Sequence, residues 1–378
     1  MRSVKKGTTG DSKHPHLQPD YLIVGSGLTG AVIARRLHDA GQRVLIVEKR
    51  PLPGGNVRDE IHPSGIRMHT YGPHYFRTSD NRIWAFVQRF SAFQPYTPCL
   101  KTWVDGRYEN WPLAASYIAR TIGPDWIPAF QGKPSNFEEA ALALMPESVY
   151  RKFVHGYTLK QWGKDPRELS AQLARRFNVR PDDDPRLMPR KKYQGIPAQG
   201  YATWINRMLE GIPLLLNTDY LAQRDAFQPR KKTVFTGPID AFFDYALGKL
   251  AYRGQQRHTE YLPNTEWHQP CAQVNNPLLG NGPHIRTLEW KHLLPPAEAA
   301  RIPGTLITRE TTYSPEDPDA FEYPFPDAEN AQRYQEYRRL ASQRPDVLIC
   351  GRLGEYRYFD MDQAIARAWK WAQRMYMG

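Results

Sequence analysis

Tyr21-Leu22-Ile23-Val24-Gly25-Ser26-Gly27-Leu28-Thr29-Gly30 is an apolar run that ends in a glycine-rich turn, and its reading decides the fold. Four apolar residues stopped by glycine suit a buried strand. Ala31 to Ala40 has the composition and spacing of a helix, and Arg43 to Val47 reads as the next strand, ending at Glu48. A strand, a G-x-G-x-x-G turn, a helix, a second strand and a terminal acid together form the βαβ fingerprint of dinucleotide binding. Each position has a physical task. Gly25 permits the tight turn, Gly27 lets the backbone approach a pyrophosphate, and Gly30 lets the helix pack on the strand. The helix start, at Leu28 and Thr29, offers free N–H groups and a partial positive charge to that pyrophosphate. Glu48 accepts hydrogen bonds from ribose hydroxyls and disfavours a 2′-phosphate. Lys49 follows it, then Gly54, Gly55 and Asn56. Flavoproteins of this architecture often set a glycine pair there against the cofactor, which points to FAD rather than NAD.

The 378 residues suggest two or three domains, each able to bury a core. Hydrophobic residues make up 40% and charged residues 24%, an ordinary balance for a soluble globular protein. No run of about 18 apolar residues exists, so no membrane span is expected. Residues 1–19 are polar, lack the apolar core of a secretory signal, and read as a disordered leader. Cys99, Cys271 and Cys350 lie far apart with no CxxC pair, which argues against a zinc site or disulfide framework and fits a reducing cytoplasm. The net charge is +12, but the basic residues are scattered, apart from short clusters such as Arg190-Lys191-Lys192. An anionic small molecule explains that charge as well as a nucleic acid does. No nucleic-acid partner and no metal are expected.

Further along, Leu100 to Val104, Asp105-Gly106 and Arg107 to Trp111 give a hairpin signal. Asn136 to Phe177 turns helical, with Leu169, Leu173 and Phe177 at helical spacing. Pro181 to Pro189 is charged and Pro-rich and reads as a surface loop. Lys232 to Thr236 and Val347 to Cys350 are strand candidates. Residues 250–325 mix short strands with loops. Met361 to Met375 is an amphipathic helix, with Asp360 placed to cap it. The expected architecture is α/β: a Rossmann-like FAD-binding domain with inserted helical and antiparallel-sheet subdomains. Residues 20–92, 217–247 and 336–378 form the FAD domain. Residues 112–178 form a helical substrate subdomain, and residues 93–111, 179–216 and 248–335 a sheet subdomain.

Several blocks, in order along nearly the whole chain from Asp20, resemble the UDP-galactopyranose mutase family. They are Tyr71-Gly72-Pro73-His74-Tyr75-Phe76, Gly156-Tyr157-Thr158-Leu159-Lys160-Gln161-Trp162-Gly163, Tyr193-Gln194-Gly195-Ile196-Pro197 and Thr236-Gly237-Pro238-Ile239-Asp240. Arg286-Thr287-Leu288-Glu289-Trp290-Lys291-His292 and residues 351–361 (GRLGEYRYFDM) complete the set. The resemblance implies an isomerase that interconverts pyranose and furanose forms of a nucleotide-diphosphate sugar, most simply UDP-galactose, without net redox change. It implies reduced FAD as the nucleophile, through N5, so that the cofactor carries the covalent chemistry. A cytoplasmic homodimer is the default it carries.

Residue by residue, the resemblance gives Arg180 and Arg286 as the diphosphate clamps, a task suited to guanidinium forks. Tyr323 and Tyr358 match tyrosines that hydrogen-bond the diphosphate. Tyr157 and Trp162 match the cleft wall, Tyr193 and Asn276 match substrate contacts, and His74 lies beside the flavin. Arg352 and Met361 match cofactor contacts. Asp360 either orients active-site groups or caps the last helix. Arg77, Asn178, Glu322, Phe325 and Phe359 depart from the family pattern, as does the Pro181 to Lys191 loop with its Asp182-Asp183-Asp184. These departures lie near residues expected to hold substrate, so they bear on which sugar and base are bound. Either that loop or the segment before Tyr157 is a candidate gate, because the reaction must be shielded from water. An amine-oxidase-type FAD oxidoreductase shares the dinucleotide fingerprint, and a non-catalytic nucleotide-sugar or nucleic-acid binding scaffold is the reading from another class.

Overall fold

The computed structural model describes residues 18–176 and 178–377, so nearly all of the expected leader, and Phe177, lie outside the described residues. The opening stretch forms the centre of a five-stranded sheet. Its strands run in the order Leu214–Leu215, Val44–Val47, Tyr21–Val24, Lys232–Phe235 and Val347–Ile349, and all neighbours are parallel. Strands covered on both faces must be apolar at successive positions, which explains the runs YLIV and VLIV. Tyr21, Ile23, Val44 and Ile46 enter the main core, whereas Leu22, Leu45 and Phe235 fill a smaller cluster on the other face. The Leu28–Asp39 and Met361–Met377 helices pack together on the main-core side, and the Tyr21 hydroxyl donates to the Met375 carbonyl at 2.6 Å. Residues near the two chain ends thus share one layer.

A second, seven-stranded sheet follows the order Tyr323–Pro324, Tyr252–Leu262, Thr305–Tyr313, Arg286–Glu289, Gln273–Asn275, Leu100–Val104 and Arg107–Trp111. Every neighbour pair is antiparallel except Gln273–Asn275 with Leu100–Val104. The expected hairpin closes through Asp105 and Gly106, both at positive φ, as its two-residue turn requires. Beside the seven-stranded sheet, residues 137–176 are mostly short helical turns with their own core around Phe137, Val149 and Phe153. There Glu147–Tyr150, Arg151–His155 and Gly156–Trp162 follow without a break, the middle piece being π-helical.

The sequence reading needs correcting in several places. Leu214–Leu215, assigned to the sheet subdomain, pairs with Val44–Val47 at the edge of the parallel sheet. The boundary at 335/336 cuts the Ala328–Ser342 helix, whose composition is so polar that only Asn330 and Tyr337 are buried. Phe76–Thr78, assigned to the FAD domain, pairs with Tyr193–Pro197, which pairs in turn with Phe93–Pro95. Residues 250–325 hold two long strands rather than only short ones, 11 residues in Tyr252–Leu262 and 9 in Thr305–Tyr313. Buried polar side chains such as Gln255 and Glu310 hide the usual alternation there.

Gly156 fixes how the helical part meets the seven-stranded sheet, since a Cβ there would lie 2.2 Å from the Pro277 carbonyl oxygen. Gly156→Ala gains about 1 kcal/mol of helix propensity, but must push the 277 backbone away, an overpacking cost of about 1–3 kcal/mol. A net loss of stability in urea unfolding is therefore expected. Gly280→Ala, where a Cβ meets nothing within 4 Å, should stay within about 0.5 kcal/mol of the parent. Equal effects at both positions would refute the packing argument.

Candidate active site

The glycine turn is built for a ligand that needs bare backbone. A Cβ on Gly30 would sit 2.0 Å from the Gly25 oxygen, and one on Gly55 would sit 2.9 Å from the Gly27 Cα. The two glycine turns therefore touch, and Gly27 and Gly54 form an isolated parallel bridge. The Leu28–Asp39 helix starts at Gly27 with no side-chain cap and no acid in its first turn, which leaves its N–H groups for an anion. Buried Leu28 anchors that turn in the core, while Thr29 meets Gly351, at 3.4 Å from a built Cβ there. Glu48 is buried at the end of its strand. Its Oε2 accepts from the Ser26 N–H at 2.8 Å and hydroxyl at 2.6 Å, and its Oε1 from the Arg50 N–H at 2.9 Å. These features fit FAD: the Gly25–Gly30 turn, Glu48 and the Gly55-Asn56 pair would hold it. Ser26 and Arg50 were not singled out by sequence. Arg50 donates to Asn56 Oδ1 at 3.1 Å and to the Asp319 carbonyl at 2.6 Å, and stacks over Tyr71. Lys49 pairs with Asp319 at 3.5 Å.

Arg286 stands directly opposite Glu310 across two antiparallel strands, and Glu310 stands directly opposite Arg257 on the next. The result is a row of three charges on one sheet face. Glu310 has no exposed surface; its Oε2 accepts from Arg286 Nε and its Oε1 from Arg257 Nε at 2.9 Å. Arg257 is also bidentate to Glu322, at 2.8 Å for both bonds. Burial works against the Arg286 charge, but Glu310, Tyr157 and Tyr323 outweigh it and raise its pKa. Burial opposes the Glu310 charge too, yet Arg286 and Arg257 hold its carboxyl below the usual range. For Glu322 burial wins and its pKa rises. Sequence reasoning missed Arg257 and Glu310; the signal was charge at inward positions of strands. Gly72 leaves room for this row, because a Cβ there would lie 2.8 Å from Glu310 Oε1.

Tyr323 and Tyr358 stack at 6.0 Å with 13° between their planes, and Arg352 lies over both rings, at 5.9 and 4.6 Å. Arg352 also donates to the Glu322 and Phe359 carbonyls, at 3.2 Å each. Burial pushes the Tyr323 hydroxyl up to about 12, so it stays a donor at neutral pH. The Tyr358 hydroxyl donates to Asp360 Oδ1 at 3.4 Å, and Arg77 pairs with Asp360 Oδ2 at 3.2 Å. Asp360 thus joins Tyr358 to Arg77, and it also stands at the N-cap of the Met361–Met377 helix, where its N–H donates to Gln363 Oε1 at 3.1 Å and its carbonyl accepts from the Ala364 N–H at 2.9 Å. A cleft of about 2120 Å³ is lined by Trp162, Arg180, Tyr323, Tyr358, Asp360 and Arg77 among others. Trp162 meets Phe325 edge-on at 5.7 Å. His74 is set by its backbone neighbours. Its Nδ1 lies 2.8 Å from the Gly72 carbonyl, an acceptor, so Nδ1 carries the hydrogen and Nε2 is left as acceptor. Burial first, then His69 and Arg352, lower its pKa to about 3.

Other expected residues are placed elsewhere. Asn276 does not line the cleft. Its amide nitrogen donates to the Asn281 and His284 carbonyls, at 2.7 and 3.0 Å, and its oxygen accepts from Asn281. Tyr193 stacks flat on Trp84 at 4.9 Å and donates its hydroxyl to Asn81, so the Asn81–Gln88 helix takes both ends of it. Met361 packs against the main core as the first residue of its helix. Arg180 lines the cleft, with its guanidinium bonded to the acidic loop that follows it.

A model of the UDP-galactopyranose mutase family matches residues 152–358, and one for an NAD(P)-binding Rossmann-like domain matches residues 23–90. A probable UDP-galactopyranose mutase of Klebsiella pneumoniae is 32% identical, over 93% of this chain and 94% of its own. The dTDP-fucopyranose mutase of Escherichia coli is also 32% identical, over 93% of this chain and 97% of its own. In fold, the crystal structure of reduced UDP-galactopyranose mutase is similar with a TM-score of 0.73 at 16% identity, covering 94% of this chain and 95% of that one.

Two outcomes test this geometry. Glu310→Ala leaves two buried guanidiniums without their shared carboxylate and should cost about 3–5 kcal/mol, read by urea unfolding. His69 is held at about 3, as His74 is, chiefly by burial, and its Nδ1 accepts from the His74 N–H at 2.9 Å. Below pH 6.5 the unfolded chain binds protons that these folded imidazoles refuse. Their stabilising effect is complete above pH 6.5 and is lost as pH falls toward 3. The stability-versus-pH slope between pH 6.5 and 4.5 should flatten in His69→Gln; an unchanged slope would refute the assignment.

Proposed function

This chain belongs to the UDP-galactopyranose mutase family, and on that premise we propose that it interconverts the six- and five-membered ring forms of UDP-galactose. The nucleotide-sugar pyranose–furanose isomerase is the reading that the family and the E. coli relative both support. FAD is the cofactor, and when bound and reduced it supplies the nucleophile that takes up the sugar as the diphosphate departs. The observation that carries the reading is the convergence on Arg286. A mostly buried guanidinium, fixed by Glu310, stands near Tyr157 and Tyr323, with Tyr358 and Arg352 stacked beside Tyr323. Such a set suits an anion that gains charge in the transition state, because fixed donors in a dry site need no reorganisation.

The residues then divide the work. Arg286 and Arg180 bind the diphosphate. The Tyr323 hydroxyl donates to it, and the Tyr358 hydroxyl, whose single proton goes to Asp360 at 3.4 Å, turns from that carboxylate to the diphosphate. Trp162 walls the cleft, and Tyr157, beside Arg286, helps to exclude water. His74, neutral at pH 7, adds no charge that would hold the departing anion too tightly, and its Nε2 is left as a hydrogen-bond acceptor that burial keeps from taking up a proton. Arg352 and the glycine turns seat the cofactor. Three free cysteines accord with a cytoplasmic setting, and a homodimer is the family default we adopt. Among the described residues no helix is long and apolar enough to cross a membrane.

Dithionite-reduced protein should convert UDP-galactofuranose to UDP-galactopyranose under anaerobic conditions, and oxidised protein should not. Arg286→Ala should lose about 10²–10³ in kcat with FAD retained. Absence of turnover with UDP-galactofuranose but conversion of dTDP-fucofuranose would overturn the UDP-galactose assignment. Turnover by oxidised protein at the same rate would sink the reduced-flavin reading.

A further inference from the structure

Asp182, Asp183 and Asp184 follow Arg180 after Pro181, and each acid has a partner. Asp182 Oδ1 accepts from Arg180 Nε at 2.8 Å and lies 2.7 Å from its terminal nitrogen. Asp183 takes the Ser116 hydroxyl, and its carbonyl accepts from Asn110 at 3.4 Å. Asp184 is bidentate with Arg186 at 2.6–3.0 Å and reaches Arg180 at 3.7 Å. The far end of the segment is tied down as well, by Leu187 N–H to the Pro98 carbonyl at 2.8 Å and by the bridge between Arg186 and Cys99. The Arg180 side chain is 9% exposed, whereas that of Asp182 is 58% exposed. Its remaining terminal nitrogen donates to the Arg186 carbonyl at 3.0 Å. Asp182 and Asp184 balance Arg180 and Arg186, and Asp183, held by a neutral hydroxyl, adds one further negative charge.

We propose that Asp182, backed by Asp184, is an internal competitor for Arg180 that the substrate's diphosphate displaces, so that these acids set the enzyme's affinity for nucleoside diphosphates. The inference rests on Arg180 binding diphosphate. A carboxylate presents its two oxygens to a guanidinium much as a phosphate does, so Asp182 occupies donors that the diphosphate needs. The exchange is chemically cheap on one side only. Asp182 is already more than half in water and returns there at little cost, while Arg180 keeps an anionic partner throughout and never lies buried without one. The anchors at Ser116, Asn110, Pro98 and Cys99 hold the rest of the loop in place, which makes displacement a local movement of the Asp182 side chain.

The test is calorimetric titration of the FAD-loaded enzyme with UDP, repeated with dTDP. Asp182→Asn keeps size and hydrogen-bonding capacity but removes the competing charge. It should tighten nucleotide binding about three- to tenfold, the range in which partly screened ion pairs act. Asp182→Asn/Asp184→Asn should tighten it further. Arg180→Ala should weaken binding, and adding Asp182→Asn to it should then change nothing, because the competitor has lost its target. FAD content and melting temperature of each variant establish that the fold is intact, with Asp182→Ser as the substitute should Asp182→Asn fail to fold. If Arg180→Ala weakens binding while Asp182→Asn leaves it unchanged or weakens it, the competitor is refuted and the clamp stands. If Arg180→Ala has no effect with either nucleotide, the clamp itself falls, and the competitor with it.

Discussion

Glu310 is the constraint from which the rest of the site follows. A carboxylate with no exposed surface loses several kcal/mol of hydration, and only close, hydrogen-bonded cations restore it. The register supplies both, since Glu310 is paired across the strands with Arg286 on one side and Arg257 on the other. Side chains alternate faces along a strand, so a slip of one residue would send Glu310 to the opposite face and strand both guanidiniums. Strand pairing and ion pairing therefore enforce each other. The row also dictates its surroundings. Gly72 must lack a side chain to clear it, and the 71–76 turn that carries His74 is thereby held against the same sheet.

That arrangement makes Arg286 a fixed donor rather than a searching one. Arg257, Arg286, Glu310 and Glu322 sum to no net charge, so the sheet face does not attract an anion by bulk field. What it offers is a guanidinium whose Nε is committed to Glu310 and whose orientation is set before any ligand arrives. Selectivity for an anion of defined shape then comes from donor placement, with the Tyr323 and Tyr358 hydroxyls adding to it. Longer-range attraction falls to the basic residues of the cleft, such as Arg190 and Lys191, and to the overall charge of +12.

The parts of the molecule that were legible in sequence are those in which one local rule dominates. Tyr21–Val24, Val44–Val47 and the turn between them obey apolar burial and backbone crowding alone, and the structure has them as read. The 100–111 hairpin follows from Asp105-Gly106 in the same way. Tyr252–Leu262 and Thr305–Tyr313 were blurred because their inward positions carry Arg, Gln and Glu, which pair with one another across strands far apart in sequence. No local pattern records such a pairing, so Arg257 and Glu310 went unseen although Arg286, between them in the chain, was singled out by its block. Asn276 and Tyr193 pose the opposite case. Their types suit a binding site, but His284 and Asn281 in one case, and Trp84 and Asn81 in the other, take up their polar groups and faces.

Arg180 and Arg286 look equivalent in sequence, as two cations suited to one diphosphate, and their partners make them different. The partner of Arg286 is fully buried and could not leave without desolvated charge remaining on both sides. The acidic partners of Arg180 come from the next few residues of its own chain, and the nearer, Asp182, is 58% exposed. A pair closed over two residues costs little loop entropy to make and little solvation to break. One clamp is therefore set by the fold and the other by local chemistry, and only the second can respond to the ligand. In the proposed reaction the diphosphate leaves, stays nearby and returns within one cycle, and that asymmetry suits it. The fixed guanidinium preserves the position to which the anion returns, while the exchangeable one limits how tightly it is held.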